Sequence, residues 1–480
     1  MAGSLRIEPL ASSEIDSMYE KCVQILVDHG VKVEHETALK TLGAAGALVD
    51  AETHMVRFSR ETIEWALAQV PKEFVYKGGD EKHDLLLPHP DRSFHTSTCI
   101  QSMLYHDPAT GGFADVTHDS YTEWCRLIER LGNVDICAIQ TPMDVPAETA
   151  DVHALNIQLQ NTSKPLAILA YCLESVPYLF ELLLARAGST ESLRDRPLAA
   201  IHPTALSPLV FKEMDLETII LACKYGVPIA PASLVMSGGT GPITIAGTAV
   251  LVATEIVAMI VMAQLISPGL PAVPCVYNYG LDMSTGNALM TSPENLLAQA
   301  VGSQFVKEAF GLPVWTSSMG GDSYVSDGQM VAGKNLQSAM CAMAGTDINY
   351  GAGRLGGSNL ASPVQLLIDD RMVANVKRVI AGVEVNEDTL ALDAILAAGS
   401  GGHYLRQRHT LNHCRDAVRP DLFVAEPLDT WQEKGSKDLY ARAVDLYEEM
   451  RLTLAPLELP DDVTREMDAI VKRADEHLVP

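Results

Sequence analysis

Apolar residues in this chain follow two rhythms. Up to about residue 80 they recur at helical spacing. "SSEIDSMYEKCVQILVDHG" (12–30) ends at a glycine, and "SRETIEWALAQVP" (59–71) opens on serine and stops at proline, both ordinary helix boundaries. From about residue 91, short β-prone runs appear at 93–99, 135–141, 166–171, 198–202, 228–233, 272–277, 313–318 and 346–350. Helical segments alternate with them at 118–132, 147–161, 174–187, 212–225, 242–266, 292–310, 328–344 and 361–382.

Eight short strands, apolar on both faces and each followed by a helix, predict an α/β fold, a closed (β/α)8 TIM barrel over residues 91–382. The competing arrangement is an open doubly wound sheet. It should begin with a GxGxxG turn after its first strand, and none is there. Residues 1–90 are expected to form an N-terminal helical region and residues 383–480, which are more polar, a C-terminal helical region. At 480 residues the chain exceeds a single core of about 250–300 residues, which leaves room for such attachments.

Composition narrows the class. Hydrophobic residues make up 47% and charged residues 20%, a globular balance. The net charge of −26 argues against nucleic acid and anionic membrane as partners and suits cationic ones. The longest apolar run, 243–266, contains Glu255 and reads as a buried core helix rather than a membrane span. The nine cysteines form no CxxC pair, and the first residues carry neither a signal core nor an arginine-rich transit helix. A cytoplasmic protein with reduced thiols is expected, as a homo-oligomer.

In a barrel, chemistry sits at the carboxyl ends of the strands. Those ends hold hydroxyl, amide and aromatic groups, no lysine, and Asp322 as their one acidic residue. Only 6% of the chain is aromatic, yet Tyr171, Tyr277, Tyr279, Trp315 and Tyr350 fall there. Ring faces hold a quaternary ammonium, which has no hydrogen to donate, at about 0.5–2 kcal/mol per contact. The same rings could equally plug the barrel top. The turn Gly238-Gly239-Thr240-Gly241-Pro242 could present amides to an anion, with Thr240 capping the next helix, or be only a tight connection. Asp322 and Asp327 could steer a cation or simply cap a helix. His409 and His413 share a helix face with His403 nearby, but no HExxH glutamate accompanies them, and a structural pair is the simpler reading. No metal site is expected.

These residues also carry a resemblance. "SGGTGPIT" (237–244), "YNYGLDMSTG" (277–286), "SPENLLAQAVGSQFVKEAFGLP" (292–313), "GGDSYVSDGQ" (320–329), "SNLASPVQLLIDD" (358–370) and "GGHYLRQRHT" (401–410) follow in order. Together they resemble the trimethylamine methyltransferase family over nearly the whole chain. The resemblance implies a (β/α)8 barrel and methyl transfer from a methylated amine to the cobalt of a corrinoid, a cobalamin-type group carried by a separate small protein. No corrinoid should be held by this chain, whose sequence lacks Asp-x-His-x-x-Gly. All residues are standard, so the chain resembles the non-pyrrolysine branch, whose understood members act on quaternary amines such as glycine betaine, proline betaine, carnitine and γ-butyrobetaine. Two departures concern the substrate. Gly351 stands where many relatives carry a histidine, and Tyr324 where many carry a lysine.

On this reading no side chain acts as acid or base, because a quaternary amine leaves as a neutral tertiary amine. Tyr277, Trp315 and Tyr350 are expected to cage the cation. His202, Asn278 and the Gly238–Gly241 amides are candidates for its carboxylate, with Tyr171, Tyr279, Ser318, Asp322 and Gly351 nearby. Two other classes remain open: a metal-dependent barrel hydrolase using His95 and His202, and a non-catalytic quaternary-amine-binding protein.

Overall fold

The computed structural model describes residues 5–418 and 421–480. Its central layer is an alternation of strand and helix: β1 (His95–Thr98), α1 (His118–Arg130), β2 (Cys137–Ala138), α2 (Ala150–Asn161), β3 (Leu166–Ile168) and α3 (Val176–Ala187). It continues with β4 (Ala199–Ile201), α4 (Glu213–Tyr225), β5 (Ala232–Ser237), α5 (Ile245–Ile266), β6 (Cys275–Leu281) and α6 (Pro293–Phe310). It ends with β7 (Trp315–Thr316), α7 (Gly328–Met343), β8 (Ile348–Ala352) and α8 (Pro363–Ile380).

All the pairings in this layer are parallel. β2, β3 and β4 form one ladder, through Leu166↔Cys137 and Leu166↔Ala199. β5, β6, β7, β8 and β1 form another, through Ala232↔Cys275, Cys275↔Trp315, Trp315↔Ile348 and Ile348↔His95. Single bridges join the two, Ser97↔Ile136 between β1 and the residue just before β2, and Ile201↔Ile229 between β4 and the segment leading into β5. Followed strand by strand, pairing passes through all eight segments and returns to the first.

Two cores result. Helices α1–α8 cover the outside of the strands in a large apolar shell. The inner faces pack on each other, with Ala138, Ala167, Ala200, Ala230, Ala232 and Cys275 supplying small side chains. Trp315 and Tyr76 fill the space these leave, at 6.4 Å between ring centroids. Tyr76 comes from a hairpin, Phe74–Tyr76 with Leu85–Leu87, that closes the amino-terminal end. Its hydroxyl donates to the Leu166 carbonyl and accepts from the Ala200 amide, so it satisfies two backbone groups in the interior.

The run 245–266 is long and apolar enough to cross a membrane, but it lies inside the protein, with 83% of its most apolar window buried. Glu255 within it accepts from Ser207 Oγ, Ser233 Oγ and the Leu209 amide. A carboxylate so occupied is a structural bracket in a core helix.

The N-terminal region differs from the helices read in the sequence. Helices Ser12–Gln24, Glu36–Ala44 and Arg60–Gln69 are present, but strands Val31–Val33, Leu48–Asp50 and Met55–Arg57 lie between them. They form a four-stranded sheet completed by Val210–Phe211. Three-residue strands are too short to display a period of two, and one partner lies far along the chain. The C-terminal region is helical. Its last helix, Asp461–Leu478, lies against α2 and α3, where Asp475 meets His153 at 3.1 Å and Arg473 meets Glu181 at 2.6 Å.

Candidate active site

A cavity of about 340 Å³ opens at the carboxyl ends of the strands. Its wall comes from Ile100, Gln101 and Met103 after β1, Leu169 after β3, His202 and Thr204 after β4, Ala232 and Leu234 on β5, Tyr277 and Tyr279 on β6, Tyr350 on β8, and Ser358 and Asn359 beyond it. The volume is at the small end of the range for ligand pockets. Broader hollows exist, one of about 580 Å³ between residues 387–397 and 407–412, but they are open and lack an aromatic wall.

Alternation along β6 decides which residues face inward. Tyr277 and Tyr279 line the cavity, whereas Asn278 turns outward toward α6. There its carbonyl accepts from Gln299 Nε2 at 2.6 Å, and its side chain lies beside Gly302. Tyr277 and Tyr350 stack with centroids 4.9 Å apart at 27°. The Tyr350 hydroxyl accepts the Ile100 amide at 3.2 Å, which fixes that ring, while the Tyr277 hydroxyl has no protein partner. His202 also lacks a partner at Nε2. Burial pushes its pKa down to about 3, so it is a neutral imidazole at physiological pH. Among the described residues, no carboxylate, lysine or arginine stands in the cavity wall.

Other residues singled out in the sequence take different places. Trp315 lies below the cavity rather than in its wall, edge-on to His202 at 4.9 Å, because the alanine-rich interior needs a large side chain there. The Tyr171 hydroxyl bonds Thr141 Oγ1 at 2.9 Å and its amide donates to Asp151, away from the cavity. Ser318 donates to the Thr316 carbonyl at 3.1 Å. Asp322 accepts from the amides of Met290 and Thr291 at 2.8 and 2.9 Å and from the Thr291 hydroxyl, tying the β6–α6 loop to the β7 turn. Asp327 caps α7 by accepting from the Met330 amide. Gly351 lies in the left-handed region at φ 119°, and a Cβ there would sit 2.6 Å from the Met319 carbonyl oxygen.

The glycine turn does not present its amides outward. Gly239, Thr240 and Gly241 all donate to the Met236 carbonyl, at 2.9, 3.0 and 3.3 Å, and Gly238 donates to Gly241. Thr240 Oγ1 accepts from the Met236 amide instead of capping α5, which starts later, at Ile245. A turn that satisfies itself in this way has no backbone amide left for an anion.

His95 and His202 are not brought together. His95 Nε2 meets the Leu86 carbonyl at 3.1 Å in the amino-terminal hairpin, while His202 faces the cavity at the other end. The rings of His409 and His413 are 4.4 Å apart in the C-terminal region, with His413 held by Asp388 and Asp416. Among the described residues no group of three His, Cys, Asp or Glu is arranged to hold a metal ion.

One residue of the site was not anticipated. Arg354, just after β8, is fully buried, with its guanidinium carbon 4.2 Å from the Tyr350 ring centre. Burial works against its charge, but the surrounding phenols of Tyr350 and Tyr279 favour it and raise its proton affinity above the ordinary arginine value. The signal in the sequence is slight: a lone charge inside "NYGAGRLGG".

Comparison with known proteins places this geometry. The model of the trimethylamine methyltransferase (MTTB) family matches residues 2–478. Trimethylamine methyltransferase MttB of Desulfitobacterium hafniense (strain DSM 10664 / DCB-2) is 27% identical over 99% of this chain and 96% of its own length. MttB of Methanosarcina barkeri (strain Fusaro / DSM 804) is 27% identical over 97% and 94%. The glycine betaine methyltransferase of Desulfitobacterium hafniense (strain Y51) is 25% identical over 96% of each chain. Among solved structures, the monomethylamine methyltransferase MtmB of Methanosarcina barkeri superposes with a TM-score of 0.52 at 13% identity, covering 94% of this chain and 90% of that one, a likeness of fold alone. A match across essentially every residue settles the family: the chain belongs to the trimethylamine methyltransferase family and is a methyltransferase.

Proposed function

We propose that this chain moves a methyl group from a small quaternary amine, of the glycine betaine kind, to the Co(I) corrinoid of a separate carrier protein. We read the returning ring of parallel pairings as a closed (β/α)8 barrel, with the reaction at its carboxyl end.

One observation carries the reading: a small cavity walled by Tyr277, Tyr279 and Tyr350, with no ionised side chain in its wall among the described residues. Ring faces and edges can surround a methylated nitrogen that cannot donate a hydrogen bond. A quaternary nitrogen leaves with the electron pair of the broken C–N bond as a neutral amine and needs no proton. That suits a wall whose one titratable group near neutrality, His202, stays uncharged. The work left to the protein is orientation and exclusion of water. Tyr350, locked by its stack on Tyr277 and its bond to Ile100, gives the site a rigid face.

When bound at the mouth, the corrinoid supplies the cobalt nucleophile that accepts the methyl group. The mouth suits an apolar macrocycle and its carrier. Met103 and Leu234 line the cavity yet are 40% and 45% exposed, and Leu206, Ile243 and Met283 are exposed beside the same strand ends. These side chains would meet it. The similarity to a protein named glycine betaine methyltransferase supports the substrate class, and nine unpaired cysteines support a reducing, cytoplasmic setting.

The test is a cobalt-methylation assay with the purified chain, a reduced corrinoid protein and a panel of quaternary and tertiary amines. Formation of methylated cobalt is expected with a betaine. Methylation only from trimethylamine, or from no amine, would refute the substrate class.

A further inference from the structure

The buried charges behind the cavity do not balance. Lys334 and Asp369 are both fully buried and paired at 2.7 Å, so that carboxylate is spent. Asp369 also accepts from the Gly353 amide and from Gln365. Arg354, close enough to Lys334 to disfavour its charge, is buried beside this pair and belongs to no ion pair among the described residues. Its Nη1 reaches Ser317 Oγ at 3.4 Å and Met290 Sδ at 3.8 Å, while among the described residues Nε and Nη2 have no partner in good hydrogen-bond geometry, the Tyr279 phenol standing close by. Unfilled donors on a buried guanidinium are uncommon, because such a group retains its charge and its desolvation is not recovered.

The position of this surplus matters more than its existence. Arg354 lies against the ring of Tyr350 and beside the phenol of Tyr279, two walls of the cavity. A purely cationic ligand in the cavity would face a like charge across one layer of side chains, with little water to screen it. A ligand that also carries an anion meets the opposite field.

We infer that Arg354 sets the charge type the cavity accepts: a methylated nitrogen enters as part of a zwitterion whose anionic group is turned toward Arg354. This rests on the quaternary-amine reading and assigns its specificity to a residue outside the aromatic wall. It also replaces the glycine turn, whose amides are spent, as the source of positive potential. Arg354 is a specificity residue and takes no part in bond making.

Three probes of similar shape separate the contributions: glycine betaine carries both charges, choline the cation alone, and 3,3-dimethylbutyrate the carboxylate alone. Binding of each to the full chain is measured by calorimetry for the wild type, Arg354→Met and Arg354→Lys. Glycine betaine should bind wild type at least about tenfold more tightly than choline. In Arg354→Met that preference should vanish or invert and 3,3-dimethylbutyrate should no longer bind, while Arg354→Lys keeps part of both. Without ligand, Arg354→Met should melt no lower than wild type, since it removes an unbalanced buried charge, whereas a merely structural arginine would lower the melting temperature. Equal binding of choline and betaine by wild type, or unchanged discrimination in Arg354→Met, overturns the inference and leaves the methyl-transfer reading intact. Should Arg354→Met fail to fold, the wild-type ratio and Arg354→Lys decide. If neither quaternary amine binds while 3,3-dimethylbutyrate binds through Arg354, the quaternary-amine reading falls and the anion role stands.

Discussion

The imidazole of His202 stands edge-on to the indole of Trp315, with ring centroids 4.9 Å apart at 79°. This contact is the boundary between the packed interior and the cavity. Trp315 is wholly buried among alanines that cannot move in to replace it. Trp315→Ala is expected to cost about 3–5 kcal/mol of stability, with a matching fall in the denaturation midpoint. Trp315→Phe should cost less and leave betaine affinity nearly unchanged. A large loss of affinity at intact stability would return Trp315 to the cation cage.

His202 also makes stability depend on pH. Its folded pKa, pushed down to about 3 by burial, lies below the ordinary value of 6.5, so the unfolded chain takes up the proton first. The sign follows: stability is flat above about pH 6.5 and falls as the pH drops toward the folded value, by about 2 kcal/mol at about pH 5 from this group. Chemical denaturation at both ends of that range, compared with His202→Gln, isolates the contribution. The variant should lose less on acidification, and an identical acid loss would show that His202 does not carry it.

The Lys334–Asp369 pair should be costly to break and cheap to replace. Lys334 donates to Asp369 at 2.7 Å and to the Gly351 carbonyl at 3.1 Å. Asp369→Asn or Lys334→Met alone leaves a charge without its partner, with an expected loss of about 3–5 kcal/mol. Replacing both with apolar residues should lose clearly less than the sum, and a double-mutant cycle by urea unfolding measures the difference. Simple additivity would mean that the two charges do not interact.

Gly351 stands at the position for which the family resemblance of the sequence implied a histidine. With φ at 119° and only 2.6 Å from a would-be Cβ to the Met319 carbonyl oxygen, the position rejects any side chain. Gly351→Ala is expected to destabilise by about 1–3 kcal/mol through backbone strain and the close contact with Met319, and Gly351→His by at least as much. Thermal melts of both decide it. A stable Gly351→His variant would show that the turn after β8 can be rebuilt.

How much was legible in the sequence varies by element. The eight helices of the central layer fall within a few residues of their expected positions, because amphipathic or wholly apolar periodicity is a local property. α5, like α2, starts three residues later than expected, and in α5 the reason is that the expected capping turn spends its bonds on itself. The short strands Val31–Val33, Leu48–Asp50 and Met55–Arg57 were not legible, since their sheet includes residues 210–211 from far along the chain.

The site divides along the same line. Composition and pattern alone determined that tyrosines, and few ionisable groups, gather at strand ends, because strand order in this layer follows chain order. Only the tertiary structure decided which of those tyrosines face the cavity. β6 turns Tyr277 and Tyr279 inward and Asn278 outward, and a shift of one residue would have reversed all three. Arg354 could not be read from the chain at all: its neighbours Ser317, Tyr350 and Met290 come from three segments, and the balance of buried charge exists only once they meet.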